Sequence, residues 1–146
     1  MPIQSHMFPT EAIAAGRQIL DALMASAGFH FEAGDSGQGS GGRFATASYI
    51  RGDRRLSFSF RWALGCVEYR IGDSVLDHND YMRLLGAYGG SEYCRFSRES
   101  PLAGFEAVRH DLDRFCSDFL HGDGADFQRL AAHFKANPEM FRGGKV

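Results

Sequence analysis

Apolar and polar residues alternate through the middle of the chain, from Arg43 to Leu76. The alternation is clearest between Leu56 and Trp62, where large apolar side chains are separated by two serines and an arginine. A period of two places one set of side chains on each face of a strand. Gly52-Asp53 is a hairpin signal. The pattern therefore predicts an antiparallel meander of three strands and a short fourth strand.

The alternation also predicts how the strands pair. The first hairpin pairs Arg51 with Arg54, and a second turn through Leu64-Gly65 aligns Phe60 with Tyr69. One face of the sheet is then apolar and the other is polar, which is typical of an antiparallel sheet covered by helices on one side. The polar face would carry Thr46, Ser48, Ser57, Ser59, Arg61, Glu68 and Arg70.

Helical periodicity flanks the meander on both sides. Apolar residues at spacings of three and four predict helices over 10–27, 77–88, 101–121 and 123–136. Residues 29–33 suggest a short edge strand, and residues 91–99 are compatible with a further strand or with a crossover. We therefore predict an α+β fold, an antiparallel meander sheet of four or five strands with helices on one face, in the order α-β-β-β-β-α-α-α.

The length of 146 residues fits a single α+β domain over 1–146. The segments 1–9 and 139–146 are predicted to be loose ends, because they lack a periodic apolar pattern. The glycine-rich segment 34–42 is predicted to be a mobile loop, since glycine loses the most conformational freedom on folding.

Composition narrows the functional class. A net charge of −2 argues against a nucleic-acid binder that depends on bulk electrostatics, and we expect no nucleic-acid partner. Three widely spaced cysteines indicate neither a disulfide framework nor a zinc site. The N-terminus lacks the pattern of a secretory signal, and no apolar run is long enough to span a bilayer. We expect a cytoplasmic protein without a membrane partner.

The short motifs in the sequence do not indicate a catalytic site. Residues 37–42 match Gly-x-Gly-x-x-Gly, yet a strand rather than a helix is predicted to follow, which disfavours dinucleotide binding. His110-Asp111 matches the metal-binding pair of the HD phosphohydrolases, which are all-helical, and we place His110 on the solvent side of its helix. We expect no catalytic residues, no metal site and no cofactor.

The functional interpretation depends on the polar face and on the arginine-rich hairpin tip. Arginine forms bidentate contacts with carboxylates, and serine hydroxyls both donate and accept hydrogen bonds. We therefore expect a small non-catalytic protein-binding module that docks an acidic partner protein. The expected partner-binding residues are Arg51, Arg54, Arg55, Ser57, Ser59, Arg61, Glu68 and Arg70.

Other interpretations stay open. The charges on the polar face are equally compatible with solvated strand residues that deter aggregation. The alternative function is a small-molecule-binding or hydrolytic protein with a crevice between sheet and helices, lined by Trp62, Tyr69 and Tyr81. A homodimer through the Phe105 to Phe119 helix is compatible with either function. In layout, the predicted domain resembles the compact α+β proteins that bacteria use as immunity proteins or adaptors.

Overall fold

A computed structural model describes residues 8–39, 42–96 and 100–137. Within these ranges, five antiparallel strands form one sheet in the order β1-β2-β3-β4-β5. The strands are β1 His30–Gly39, β2 Gly42–Arg51, β3 Arg54–Phe60, β4 Leu64–Ile71 and β5 Ser74–Asp77. The helices are α1 Pro9–Ser26, α2 His78–Leu84, α3 Ala103–Phe115, α4 Ser117–Leu120 and α5 Ala125–Ala136, with 3₁₀ turns at Tyr88–Gly90 and Tyr93–Arg95. The predicted α+β class is confirmed.

Aromatic side chains fill the space between sheet and helices. The ring of Phe105 in α3 lies 5.8 Å from the ring of Phe58 and 6.2 Å from that of Phe60. On β4, Tyr69 contacts Phe119 in α4 at 5.0 Å, edge to face. Such pairs add specific geometry to the burial of apolar area. These aromatic contacts hold α3 and α4 on the sheet.

The apolar stripe from Phe105 to Phe119 is buried by this packing. Phe105, Leu112 and Phe119 are fully buried against the chain's own sheet and helices. The stripe is therefore not available as a surface for the homodimer that the sequence suggested.

The first hairpin pairs as predicted, and the second does not. Arg51 pairs with Arg54, which confirms the first register. Tyr69, however, lies opposite Leu56 rather than Phe60, because the chain turns immediately after β3. Leu64 is then buried instead of lying in the turn. A bulge in β4 restores the alternation of the two faces.

Strand β1 is longer than predicted and includes most of the glycine-rich segment. The described part, Gly34–Gly39, belongs to β1, which pairs with β2 on both sides of a bulge between Ala33 and Ser36. A Cβ atom at Gly34 would lie 2.3 Å from Oγ1 of Thr46, so the bulge needs a residue without a side chain. Backbone pairing to β2 outweighs the entropic disadvantage of glycine. The loop assignment is wrong for these residues, and their mobility stays a prediction.

Helix ends also differ from the predictions. Helix α1 begins at Pro9, inside the segment predicted to be loose, while 1–7 and 139–146 lie outside the described residues. Asp77 caps α2 as expected, since its carboxylate accepts the Asp80 amide at 2.8 Å, but α2 ends at Leu84, ahead of a left-handed Gly86. Residues Tyr93–Arg95 form a 3₁₀ turn, not a strand.

The long helix predicted over 101–121 is broken at Cys116. Its two parts are α3 and α4, and the carbonyl groups near the end of α4 are bound by a guanidinium group from β3. Such a partner replaces the helical hydrogen bonds that end there. The apolar stripe continues across the break from Phe115 to Phe119, so its periodicity does not show the break. The arginine that binds the end of α4 lies more than sixty residues earlier in the chain.

A substitution at Gly16 tests the contact between α1 and α3. A Cβ at this position would lie 2.3 Å from ring carbons of the buried Phe105. Gly16→Ala should gain about 1 kcal/mol of helix propensity but lose roughly 1 to 3 kcal/mol to overpacking. We expect net destabilisation, measured by urea denaturation.

Gly89→Ala is the control, because a Cβ there meets nothing within 4 Å. Its unfolding free energy should change by no more than about 0.5 kcal/mol. A Gly16→Ala variant as stable as the wild type would contradict the packing of α1 on Phe105.

Candidate functional site

The face of the sheet turned away from the aromatic core carries small hydroxyl groups and arginines. We call it the open face. It comprises Thr46, Ser48, Arg55, Ser57, Ser59, Glu68 and Arg70, with Arg61 at one end. Thr46, Ser57 and Ser59 are half-buried, whereas Arg55 and Arg70 are exposed. The structure therefore brings together six of the eight predicted partner-binding residues.

Two arginines lie directly opposite each other on the open face. Arg55 of β3 pairs with Arg70 of β4 in the strand register. The Arg55 guanidinium donates to Ser48 Oγ at 3.2 Å, and Arg70 lies 3.8 Å from the carboxylate of Glu68. Like charges opposite each other on adjacent strands are destabilising. A bound anionic group would relieve that repulsion.

The opposite end of the open face is aromatic. The Arg61 guanidinium lies 5.7 Å from the centre of the Phe44 ring. Trp62 is 67% exposed, and its indole lies close to Gly42, where an added Cβ would be 3.1 Å away. The sequence suggested that Trp62 lines a crevice between sheet and helices, but the exposed side chain does not. It belongs to the turn between β3 and β4.

Two predicted partner-binding residues are bound to helix ends within the chain. Arg54 is only 9% exposed, and its guanidinium donates to the carbonyls of Asp118, Phe119 and Gly122. Arg51 donates to the carbonyl oxygens of Ala27 and Leu120. Both side chains join the hairpin tip to helix ends. Arg54 is too buried to contact a partner, whereas Arg51 is half-buried and its part in docking stays a prediction. The alternation in the sequence already places Arg54 in phase with Leu56 on the helix side of the sheet, so only the carbonyl partners of the two arginines needed the tertiary structure.

The predicted crevice around the tyrosines does not open to solvent. Tyr69 and Tyr81 are buried, with ring centroids 5.0 Å apart. Burial raises the pKa of both hydroxyl groups far above the usual tyrosine value. Both phenols therefore stay protonated near neutral pH, and neither can contact a ligand from solvent.

A buried polar cluster that the sequence analysis missed lies behind Tyr69. Asp111 of α3 is 0% exposed and accepts hydrogen bonds from His78 Nε2 at 2.8 Å and from Ser91 Oγ at 2.5 Å. The amides of Glu92 and Tyr93 also donate to it, at 2.9 and 3.2 Å. Asp111 thereby anchors the 3₁₀ segment to α2 and α3.

The carboxylate of Asp111 is held in its charged form. Burial alone would raise its pKa, but the hydrogen bonds from His78, Ser91, His110 and the Glu92 amide outweigh burial and hold the pKa well below its usual range. The cluster continues to the Tyr69 hydroxyl, which lies 2.7 Å from His78 Nδ1.

This cluster is not a hydrolase triad. In a triad the serine hydroxyl donates to histidine, whereas here Ser91 donates to the aspartate itself. Ser91, His78 and Asp111 are all buried. The cluster therefore binds protein groups to one another and leaves no position for a substrate.

One signal could have identified this cluster from sequence. Asp111 follows Val108 by three residues and precedes Leu112, so it falls within the apolar stripe of α3. An acidic residue at a stripe position indicates a buried polar contact. From the sequence, Asp111 is considered only together with the adjacent His110, as a metal-binding pair.

Other candidate chemistries find no site in the described residues. Across 8–39, 42–96 and 100–137, no three His, Cys, Asp or Glu side chains are grouped as a metal ion would require. In the same ranges, no helix has the length and apolar character needed to cross a membrane. No protein-family model matches the chain, and it has no match among the curated proteins or the solved structures.

Replacing Arg54 should destabilise the fold strongly. Arg54→Met leaves three carbonyl oxygens near the end of α4 without their donor. Hydrogen bonds to charged groups contribute more than neutral ones, so we expect a loss of roughly 2 to 4 kcal/mol in unfolding free energy. Urea denaturation measures this loss.

Arg55→Met is the matched control, because Arg55 neighbours Arg54 on β3 and points to the open face. Its unfolding free energy should fall by about 0.5 kcal/mol or less. Equal losses in the two variants would show that Arg54 does not bind the end of α4.

Asp111→Asn should weaken the fold in a pH-dependent way. Asparagine replaces one acceptor oxygen with an NH₂ group, and a buried donor left without its acceptor costs about 1 to 3 kcal/mol. The folded pKa of Asp111 lies below its unfolded value, so its stabilising effect is complete above about pH 4 and is lost as pH falls through the folded pKa. The stability difference between wild type and Asp111→Asn should therefore shrink below about pH 4, in urea denaturation across pH.

Asp113→Asn serves as control, since Asp113 is exposed on the same helix. Its stability should follow that of the wild type at every pH. An Asp111→Asn variant that behaves like Asp113→Asn would contradict the anchoring role of the buried carboxylate.

Proposed function

We propose that this protein is a non-catalytic binding module whose open face docks an acidic segment of a partner protein. The observation that carries the proposal is the exposed pair of Arg55 and Arg70, opposite each other on adjacent strands. A carboxylate seated between them would replace repulsion with charge-assisted hydrogen bonds. Planar guanidinium groups favour this bidentate geometry.

The charge distribution supports an acidic partner. The whole chain has a net charge of −2, yet on β3, β4 and the turn between them the open face carries Arg55, Arg61 and Arg70 against one acid, Glu68. Two further acids lie at the margins of this face, Glu32 of β1 opposite Ser48 and Asp77 of β5 opposite Glu68. Complementary potentials of this kind guide association and select among partners more than they add affinity. The basic character is thus local and confined to the central strands.

The open face is long enough for two separate anionic contacts. Arg61 follows Arg55 by six residues, which corresponds to roughly 20 Å along an extended strand. The half-buried Ser57 and Ser59 lie between them and offer hydroxyl groups for hydrogen bonds. We propose that the partner contacts both ends, with the exposed Trp62 as an apolar anchor beside Arg61.

The cysteines support a reducing compartment, which we propose to be the cytoplasm. Cys66, Cys94 and Cys116 are all free thiols, and Cys66 is exposed. An exposed thiol persists best where disulfides do not form.

The identity of the partner would distinguish two roles for the protein. A captured toxin indicates an immunity protein, and a component of a larger assembly indicates an adaptor.

Charge reversal of the arginine pair tests the proposal. The double variant Arg55→Glu and Arg70→Glu should no longer retain the protein that the wild type captures from a host lysate, because an acidic segment would meet two carboxylates. Captured proteins are identified by mass spectrometry, and circular dichroism checks that the variant is folded.

The control is the double variant Arg109→Glu and Arg129→Glu, which makes the same change in net charge at exposed helical positions. This control should capture the same protein in the same amount as the wild type. Capture that survives reversal of Arg55 and Arg70 would refute docking through the open face.

A further inference from the structure

A groove between α1 and the edge of the sheet lies apart from the open face. Its volume is about 470 Å³. Its walls are Ile13, Ala14 and Arg17 from α1, and Phe31, Ala33 and Ser36 from β1. This size lies within the usual range of ligand-binding clefts. One wall of the groove is helix α1 and the other is strand β1.

Strand β1 is the outermost strand on this side of the sheet. It has β2 as its neighbour and ends the strand order. Half of the amide and carbonyl groups of an edge strand point away from the sheet, where they can pair with an added strand. The ten residues of β1 include neither lysine nor proline, two residues that commonly protect such edges. The bulge between Ala33 and Ser36 confines the regular pairing of an added strand to the stretch 30–33. Its small side chains leave the backbone accessible.

The charges around β1 determine what could pair with it. Glu32 and Asp35 are exposed on β1, and the Glu32 carboxylate lies 3.2 Å from Nε2 of His30 on the same strand. The arginine in the groove, Arg17, already contacts Asp21 at 3.3 Å and lies 4.4 Å over the Phe31 ring. A second copy of β1 would bring carboxylates against carboxylates. The edge is therefore complementary to a basic strand and not to itself.

We propose that β1 binds an extended basic segment of another protein by strand addition, with α1 forming the second wall of the site. The added strand pairs with the backbone of β1 and continues the sheet. Its alternate side chains then fall into two sets. Apolar ones enter the groove beside Ile13, Ala14 and Phe31, and lysines or arginines lie on the other face, beside Glu32.

This site is independent of the proposed docking of an acidic segment. The acidic segment would contact β3 and β4, whereas the basic strand would contact β1 and α1. The two ligands differ in charge and in location. The protein would then hold two segments of opposite charge at once.

The test uses a phage-displayed library of random ten-residue peptides selected on the full-length protein. Enriched peptides should alternate apolar residues with lysine or arginine. Ala14→Trp should weaken the binding of a synthetic enriched peptide by roughly tenfold or more, because the indole fills the groove. Ala25→Trp, at an exposed position three turns along the same helix, should bind as the wild type does.

Two further measurements locate the peptide. Hydrogen exchange of the amides in 30–33 should slow when the synthetic peptide is added, since strand pairing protects them. The double variant Arg55→Glu and Arg70→Glu should bind the peptide as tightly as the wild type, which separates this site from the open face.

Several outcomes would overturn the proposal. These are a selection that enriches no peptide, enriched peptides that are acidic, and equal binding to Ala14→Trp and the wild type. A β1-mediated dimer in light scattering would also overturn it, because the occupant would then be a second copy of the chain.

Discussion

The structure depends on the burial of one face of an antiparallel sheet by aromatic side chains. Phe58, Phe60 and Tyr69 present their rings to Phe105 and Phe119, and these contacts position α3 and α4. Interiors pack densely, so a helix can approach only where a neighbour is small. Gly16 of α1 meets the Phe105 ring for this reason. The sheet and the helices are therefore specified together.

An aromatic core imposes a second requirement, because every polar group inside it needs a partner. Arg54 donates hydrogen bonds to carbonyl groups at the end of α4, and Asp111 accepts them from backbone amides of the 3₁₀ segment. Neither contact gives the protein chemistry to perform, since both groups are already bound by the chain. Their effect is to hold segments distant in sequence in one arrangement, and the loss of either residue would leave buried polar groups without their hydrogen-bond partner.

The surfaces that remain for function are those that the core does not use. One is the open face, where Arg55 opposes Arg70. Another is the outer edge of β1, where backbone groups and acidic side chains point away from the sheet. Both follow from the same architecture, because a sheet covered on one side keeps one free face and two edges. A binding role fits such surfaces better than catalysis does.

The sequence by itself determined the α+β class, the first hairpin register and the division of the sheet into an apolar and a polar face, because these depend on local periodicity and turn residues. The tertiary structure decided the second register, the break at Cys116 and the carbonyl partners of Arg51 and Arg54. It also decided the cluster around Asp111. The second register depends on where the chain turns after Phe60 and on the bulge in β4. The arginine contacts and the cluster depend on residues far apart in the chain, where a buried group selects its partner by distance and hydrogen bonding. A local pattern can place a polar residue on an inward face, as at Arg54 and Asp111, but it does not show which groups that residue binds.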